Sequence, residues 1–348
     1  MKGRAALFVL LACSCGEVSD ESELGAAPFF PVPECAHLEQ RACDIRAVAC
    51  QTQILALAAC LRGEEPGELP SVELMTPAEV RTYYESAAEE DDGPDPTHYE
   101  HALSSLGLVA PGAFSDESRI TDQVDFLGGF YEFTTKRLVI VDRDEAGLEP
   151  LPGSAILLHE FVHYLQDREL DLAAYYEAEA DSDDSRLALV SLVEGEAEFY
   201  EWRYVAALAG IDGAEVDWKK TFQNLIVEDE LGMLEEESPY LERYRTFRYS
   251  FGSRYVHWLH ERGGSAAVHE AYASPPLTTR TLMASATEPV VDLDPAEFAE
   301  PLPPPEWSLF YAPTSLGAWG VFLLALPAAG IDAARSLALA WRGDRLWI

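Results

Sequence analysis

Apolar residues return at three- and four-residue steps through residues 154–170 and again through 184–208, so both stretches are predicted as long helices. The same period runs over residues 240–274, where Gly263-Gly264 predicts a break. Ser71 to Met75 alternates like a short strand. Thr76-Pro77-Ala78-Glu79 then supplies an N-cap, a proline at the first helical position and a capping-box glutamate for a helix to follow. Across Val124 to Asp142, β-branched and aromatic residues flank Thr134-Thr135, which predicts a strand pair. Leu316 to Ile331 is almost wholly apolar, yet it contains Pro327 and falls short of the ~20 residues needed to cross a bilayer; it predicts a buried helix opening a terminal helical pair. Residues 63–70 and 86–96 read as acidic connectors punctuated by proline and glycine, and Pro289 to Pro305 as a surface crossing. Strands early and helices late indicate an α+β domain over residues 63–348.

The first residues follow a different logic. Lys2 and Arg4 precede an apolar run from Ala5 to Ala12, the layout of a secretory signal peptide over residues 1–12. Leu10-Leu11-Ala12-Cys13 resembles a bacterial lipobox, in which Cys13 is lipidated and becomes the mature N-terminus. That expectation places the protein in the cell envelope, at the outer membrane or in the periplasm, on a tether of residues 13–33. The competing reading is an ordinary signal with Cys13 a bystander, which gives a secreted protein. Cys35, Cys43, Cys50 and Cys60 follow in a helix-friendly stretch, residues 34–62, and four cysteines allow three disulfide connectivities. If the stretch folds as an antiparallel helical hairpin, nested pairing of Cys35 with Cys60 and of Cys43 with Cys50 joins the partners that face each other, and an oxidising compartment permits it. A metal cluster is the rival reading, although the stretch has no C-x-x-C pair. Cys15 is left over.

Charge narrows the partners. The 348 residues carry 24 Lys+Arg against 61 Asp+Glu, a formal charge of −37. Phosphate backbones and anionic lipid faces are repelled by such a surface, so nucleic-acid binding is a poor expectation and membrane association is expected only through the N-terminal lipid.

The candidate chemistry lies in the helix of residues 154–170. His159-Glu160-Phe161-Val162-His163 places two imidazoles four residues apart, on one helical face, where both can grip one ion. Glu160 can reach a water on that ion without ligating it. Because Ile156, Leu157, Phe161, Val162 and Leu165 are apolar, the helix is expected to be buried, and burying two imidazoles beside a carboxylate costs free energy unless something pairs them. A metal supplies that reason. A satisfied pair of core histidines is the bland alternative.

Zinc needs a third protein ligand and leaves its fourth position open. In the helix of residues 184–208, Glu194 stands in line with Leu187, Val190 and Ala197, whereas Glu196 is turned about 200° away. Glu194 is therefore the expected third ligand, and Glu198, one turn on, is expected to support a ligand histidine. Glu196, Glu198 and Glu201 otherwise read as a solvated acidic face, Glu196 above all. Gly195 is expected to let this helix approach the helix of the two histidines closely.

Together, His159-Glu160-x-x-His163 and Glu194 resemble the gluzincin class of zinc metallopeptidases. More narrowly, GGFYEFTTKRLVIVD, LLHEFVHYLQDREL, LALVSLVEGEAEFY, YSFGSRYVHWLHERGG, AYASPPLTT and WRGDRLWI are similar to blocks of a poorly characterised group of bacterial exported proteins with an HE-x-x-H-x-LQD helix and an EG-x-A helix. The resemblance covers roughly residues 70 to 348. It implies a zincin-like fold, thermolysin-like active-site helices with a small antiparallel sheet, that binds zinc through His159, His163 and Glu194 and hydrolyses peptide bonds with Glu160 as general base. Tyr249, in the YSFG block, is the first candidate oxyanion donor, ahead of Tyr255 and His257. Residues 126–133 are expected to offer a strand edge to a peptide or protein substrate. Two departures stand out: Thr278-Thr279 lacks a following His-Pro, and relatives continue beyond Ile348. They support a different expectation, a lipid-anchored zincin-like binding or scaffold protein with little or no catalysis. An amide hydrolase acting on cell-wall crosslinks would use the same site.

Overall fold

The computed structural model describes residues 31–90, 96–143, 150–179, 182–234, 240–284, 314–346 and 348. The expected signal peptide, Cys13, Cys15, most of the tether and the Pro289 to Pro305 crossing lie outside the described residues.

The fold is α+β, mostly helical around one small sheet. The N-terminal region begins with a 3-10 turn at Pro33–Cys35, runs irregularly to Ala47 and enters helix α1 (Val48–Arg62). Both nested disulfides are present, Cys35–Cys60 and Cys43–Cys50, with Cα separations of 6.0 and 5.6 Å. The expected helical hairpin is corrected: its first arm is irregular. Gln40 is the physical reason, because its buried side chain accepts from Val32 N and donates to Cys35 O, meeting backbone needs that a helix would otherwise meet.

Strand β1 (Ser71–Met75) leads into α2 (Pro77–Glu90), whose start is capped as expected: Thr76 N donates to Glu79 Oε2 at 2.7 Å and Glu79 N to Thr76 Oγ1 at 3.3 Å. Residues 86–90, expected as connector, extend this helix, since glutamate and alanine favour helix when no proline intervenes. Helices α3 (Thr97–Ser105) and α4 (Asp116–Phe126) follow, then the hairpin β2 (Gly129–Glu132) and β3 (Arg137–Val141). The expected pair is thus shorter than its sequence signal, because Val124 to Phe126 complete α4.

β3 is central, parallel to β1 and antiparallel to β2, which leaves β2 at an edge. The expected antiparallel sheet is thus corrected to a mixed one: α2, α3 and α4 lie between β1 and β3 in the chain and give the long crossover that a parallel pair needs. The unbroken apolar run of β3 reflects burial on both faces. Leu138 and Ile140 join the main core, whereas Val141 joins Val80, Ile120 and Val124 of α2 and α4 in a smaller one.

Against the main-core side of the sheet lies α5 (Pro150–Leu170), followed by α6 (Leu172–Glu179), α7 (Asp183–Leu208), α8 (Trp218–Gly232) and α9 (Tyr240–Ala273). The break expected in α9 is present at Gly263 and Gly264, and only Gly264, at φ +64°, is left-handed. The chain closes with α10 (Thr279–Ala284), α11 (Gly317–Ala329) and α12 (Ile331–Ala340). Among the described residues no helix is long and apolar enough to cross a membrane.

α5 is covered by the sheet on one side, α7 on another and α1 on a third, while α9 lies across α7. That crossing is made by two glycines. A Cβ on Gly195 would stand 2.2 Å from the Gly252 carbonyl carbon, and one on Gly252 would stand 2.2 Å from Ser191 O. The close approach expected between α7 and the histidine helix is therefore corrected: Gly195 admits α9.

Candidate metal centre

Each face of α5 has its own task. Leu157, Leu158, Phe161, Val162 and Leu165 are buried against neighbouring elements, while His159, Glu160 and His163 are buried toward α7 with at most 9% exposure. Helical periodicity sets this division, since residues four apart share a face.

His159 Nε2 and His163 Nε2 each stand 3.5 Å from the same oxygen, Oε2 of Glu194. The other nitrogen of each ring is engaged elsewhere. His159 Nδ1 lies 2.9 Å from Glu201 Oε2, and His163 Nδ1 lies 2.8 Å from Gln166 Oε1. Both partners are acceptors, so both Nδ1 atoms donate, and both Nε2 atoms are turned toward the Glu194 carboxylate. Converging in a buried space, these groups need positive charge among them, which a metal ion supplies when the rings are neutral and ring protons supply when they are charged.

The separations fit such a cation. Two ligand atoms about 2.1 Å from a tetrahedral ion stand about 3.4 Å apart, close to the 3.5 Å observed here. The buried histidine and glutamate group can hold a metal ion. Beside it, Glu160 Oε2 is buried with no hydrogen-bond partner among the described residues, facing a need that protein groups leave unmet. His159 with Glu198 and Glu201 forms a second cluster of the same donor types. Its close contact is the Nδ1 hydrogen bond, so its task is to orient the His159 ring. The expected support from Glu198 therefore falls chiefly to Glu201; Glu198 Oε2 is 3.9 Å from the ring, and its Oε1 accepts from Trp202 Nε1 at 2.9 Å.

Titration follows from the same contacts. Burial opposes charge on His159, but the Glu194 and Glu201 carboxylates outweigh it and hold its pKa well above the usual value. Burial likewise opposes charge on Glu194, and His159, His163 and Arg248 outweigh it, keeping this carboxyl ionised well below its usual range. Glu160 moves the other way: burial pushes its carboxyl up, against the pull of the two histidines.

α9 contributes from the far side. Arg248 Nη1 stands 3.7 Å from Glu194 Oε1, and the Tyr249 ring centroid is 6.3 Å from that of His159. Tyr249 is thus brought to the site. Tyr255 and His257 are not: Tyr255 stacks on Trp258, and His257 packs against Phe199 and Phe222. β2, at the sheet edge, packs against α5. Thr278 and Thr279 serve the scaffold; Thr279 N and Oγ1 donate to Asp184 at the start of α7, and Thr279 Oγ1 accepts from Trp319 N.

The solvated face expected for Glu196 is overturned. Glu196 is fully buried and ion-paired with Arg62 of α1. α7 is covered on more than one side, so turning away from the metal site carries a side chain into a second interior contact. Glu201, Gln166 and Arg248 were passed over as site neighbours. Periodicity could have found the first two, since Glu201 is seven residues from Glu194 and Gln166 three from His163. Nothing local marks Arg248, which reaches the site only through the α7–α9 crossing.

These features define the class of the site: a buried two-histidine, one-glutamate group that can hold a metal ion, beside a carboxylate with one oxygen unpartnered among the described residues. The chain matches no family model, no curated protein and no solved structure.

Proposed function

We propose that this protein is an exported, zinc-dependent metallopeptidase of the gluzincin type with a zincin-like domain, anchored in the bacterial envelope by a lipid on Cys13. The observation that carries the reading is the convergence of His159 Nε2, His163 Nε2 and Glu194 Oε2, with Glu160, whose Oε2 has no partner among the described residues, one residue from a ligand. Two imidazoles and one carboxylate form a donor set that suits catalytic zinc. The two disulfides support an oxidising, extracytoplasmic location.

When bound, zinc supplies Lewis acidity, which acidifies water toward neutral pH and polarises a carbonyl group. Glu160 takes the proton of the attacking water and passes it to the leaving amine nitrogen. Its carboxyl is shifted upward by burial, toward the range in which a base both accepts and returns a proton. Glu201 and Gln166 hold the two imidazole rings. Tyr249, whose hydroxyl burial keeps protonated well beyond its usual range, donates to the oxyanion that develops on the carbonyl. The edge of β2, which pairs with no second strand among the described residues, takes an extended peptide substrate by strand addition.

Incubating the protein with a mixed peptide library, with and without a chelator, tests the reading. Cleavage that the chelator abolishes and zinc restores is expected. Glu160→Gln should retain zinc and lose turnover by on the order of 10² or more, the usual cost of removing a general base. Zinc binding without any cleavage would favour the binding or scaffold function instead.

A further inference from the structure

An unbroken line of buried side chains runs from α1 to the ring of His163. Arg62, the last residue of α1, is fully buried among three carboxylates. Its Nε is 2.5 Å from Glu64 Oε1, its Nη2 is 2.6 Å from Glu169 Oε2, and its Nη1 is in short contact with Glu196 Oε2. The same Glu196 oxygen accepts from the Tyr272 hydroxyl at 2.5 Å and from Gln166 Nε2 at 2.9 Å. Gln166 Nε2 also donates to Val193 O at 2.9 Å, and Gln166 Oε1 accepts from His163 Nδ1 at 2.8 Å.

The order of donors along this line matters. A glutamine amide fits its space equally well in two orientations, and hydrogen bonding alone chooses between them. With Nε2 toward the Glu196 carboxylate, the Val193 carbonyl and the Tyr272 hydroxyl oxygen, whose own hydrogen goes to Glu196, the two amide hydrogens face acceptors alone. Turned over, Oε1 would oppose two acceptors. Glu196 thereby fixes which Gln166 atom meets His163, and so which His163 nitrogen carries hydrogen and which presents a lone pair beside Glu194. Glu196 can sit there as a carboxylate because Arg62 faces it; a buried charge deprived of its partner does not hold its place. Cys60, two residues before Arg62, ties this end of α1 to Cys35, and His269 Nε2 donates to the Arg62 carbonyl at 2.9 Å.

We propose that Arg62 is a positioning residue of the metal centre, acting through Glu196 and Gln166 on His163, so that the disulfide-tied N-terminal segment is a working part of the site. The inference rests on the proposed reading of His159, His163 and Glu194 as metal ligands.

Zinc affinity of the full chain, measured by competition with a chromophoric chelator, is the test, read beside long-range 1H–15N spectra of the histidine rings in metal-free protein. Wild type should bind one zinc per chain and show His163 protonated at Nδ1. Arg62→Met should fold, bind zinc 10-fold to 100-fold more weakly, as loss of a ligand's supporting contact does, and show a mixed His163 signal. Glu196→Gln, nearly isosteric, should shift both readouts in the same direction, and it decides the matter if Arg62→Met does not fold. Arg335→Met breaks another ion pair with a buried partner, Arg335–Glu230, and should leave both readouts unchanged. Wild-type affinity and an unaltered His163 signal in Arg62→Met and Glu196→Gln would overturn the proposal, as would an equal loss in Arg335→Met. Wild type that binds no zinc overturns the reading of the ligands instead, while the metal-free spectra still report whether Arg62 governs His163.

Discussion

Asp229 of α8 shows how single side chains carry strain in so acidic a molecule. Burial raises its pKa to about 7, helped by the nearby carboxylates of Glu198, Glu228 and Glu230 and opposed by a hydrogen bond from Ser250. In the unfolded chain the same group titrates near 3.8. From about pH 4 to 7 the native protein therefore holds a proton that the unfolded chain has released, and the stability from this group, complete below that window, is lost as pH rises through it. Asp229→Asn cannot lose a proton and should gain stability relative to wild type between pH 5 and 8. Urea unfolding at several pH values checks this; a difference that stays flat with pH would remove Asp229 from the account. Residue-scale reading of the sequence was strongest for His159, Glu160, His163 and Glu194, because one helical face groups the first three and a second helix presents the fourth.

At the scale of elements, the α7–α9 crossing decides which side chains from α9 reach the candidate metal centre. It is close because Gly195 and Gly252 have no Cβ: at 2.2 Å from opposing backbone, an added methyl forces the helices apart. Gly252→Val should cost roughly 1–3 kcal/mol or more by overpacking, and should draw Arg248 and Tyr249 away from Glu194 and His159. Thermal unfolding measures the first effect. For the second, zinc binding should be retained while turnover falls; a variant with wild-type stability and rate would show that the helices have room to spare. In the LQD block, Gln166 serves the site, whereas Asp167 accepts from the Tyr131 hydroxyl and Lys136 Nζ and caps Leu172 N, fastening the β2–β3 hairpin and α6 to α5. The WRGDRLWI block has a comparable task. Asp344 accepts from Leu316 N and Gly317 N at the start of α11.

For the whole molecule, the disulfides and the buried Arg62 cluster bind the N-terminal segment to the helical core. The Cys35–Cys60 bridge spans 25 residues of sequence, and loop-closure entropy of that length corresponds to about 3 kcal/mol. Replacing both cysteines by serine should lower the thermal midpoint by several degrees, and chemical denaturation should show a similar loss; an unchanged midpoint would mean that burial of α1 alone secures the segment. The net charge of −37 acts at this scale as well. It disfavours anionic partners, and inside the molecule Arg62 gives one point where several acidic side chains meet a buried counter-charge.

Local rules were enough to specify the long helices α5, α7 and α9, the capped start of α2, the break at Gly263-Gly264 and the grouping of His159, Glu160 and His163. Each depends on neighbours a few residues apart, or on alternation and period that survive in one dimension. The irregular first arm of the cysteine segment, the parallel pairing of β1 with β3, the burial of Glu196 against Arg62 and the arrival of Arg248 beside Glu194 were decided by the tertiary structure. These contacts join residues up to 134 positions apart, and whether a polar side chain at such a place meets water or a counter-charge depends on which elements fold over it, information that no local pattern carries.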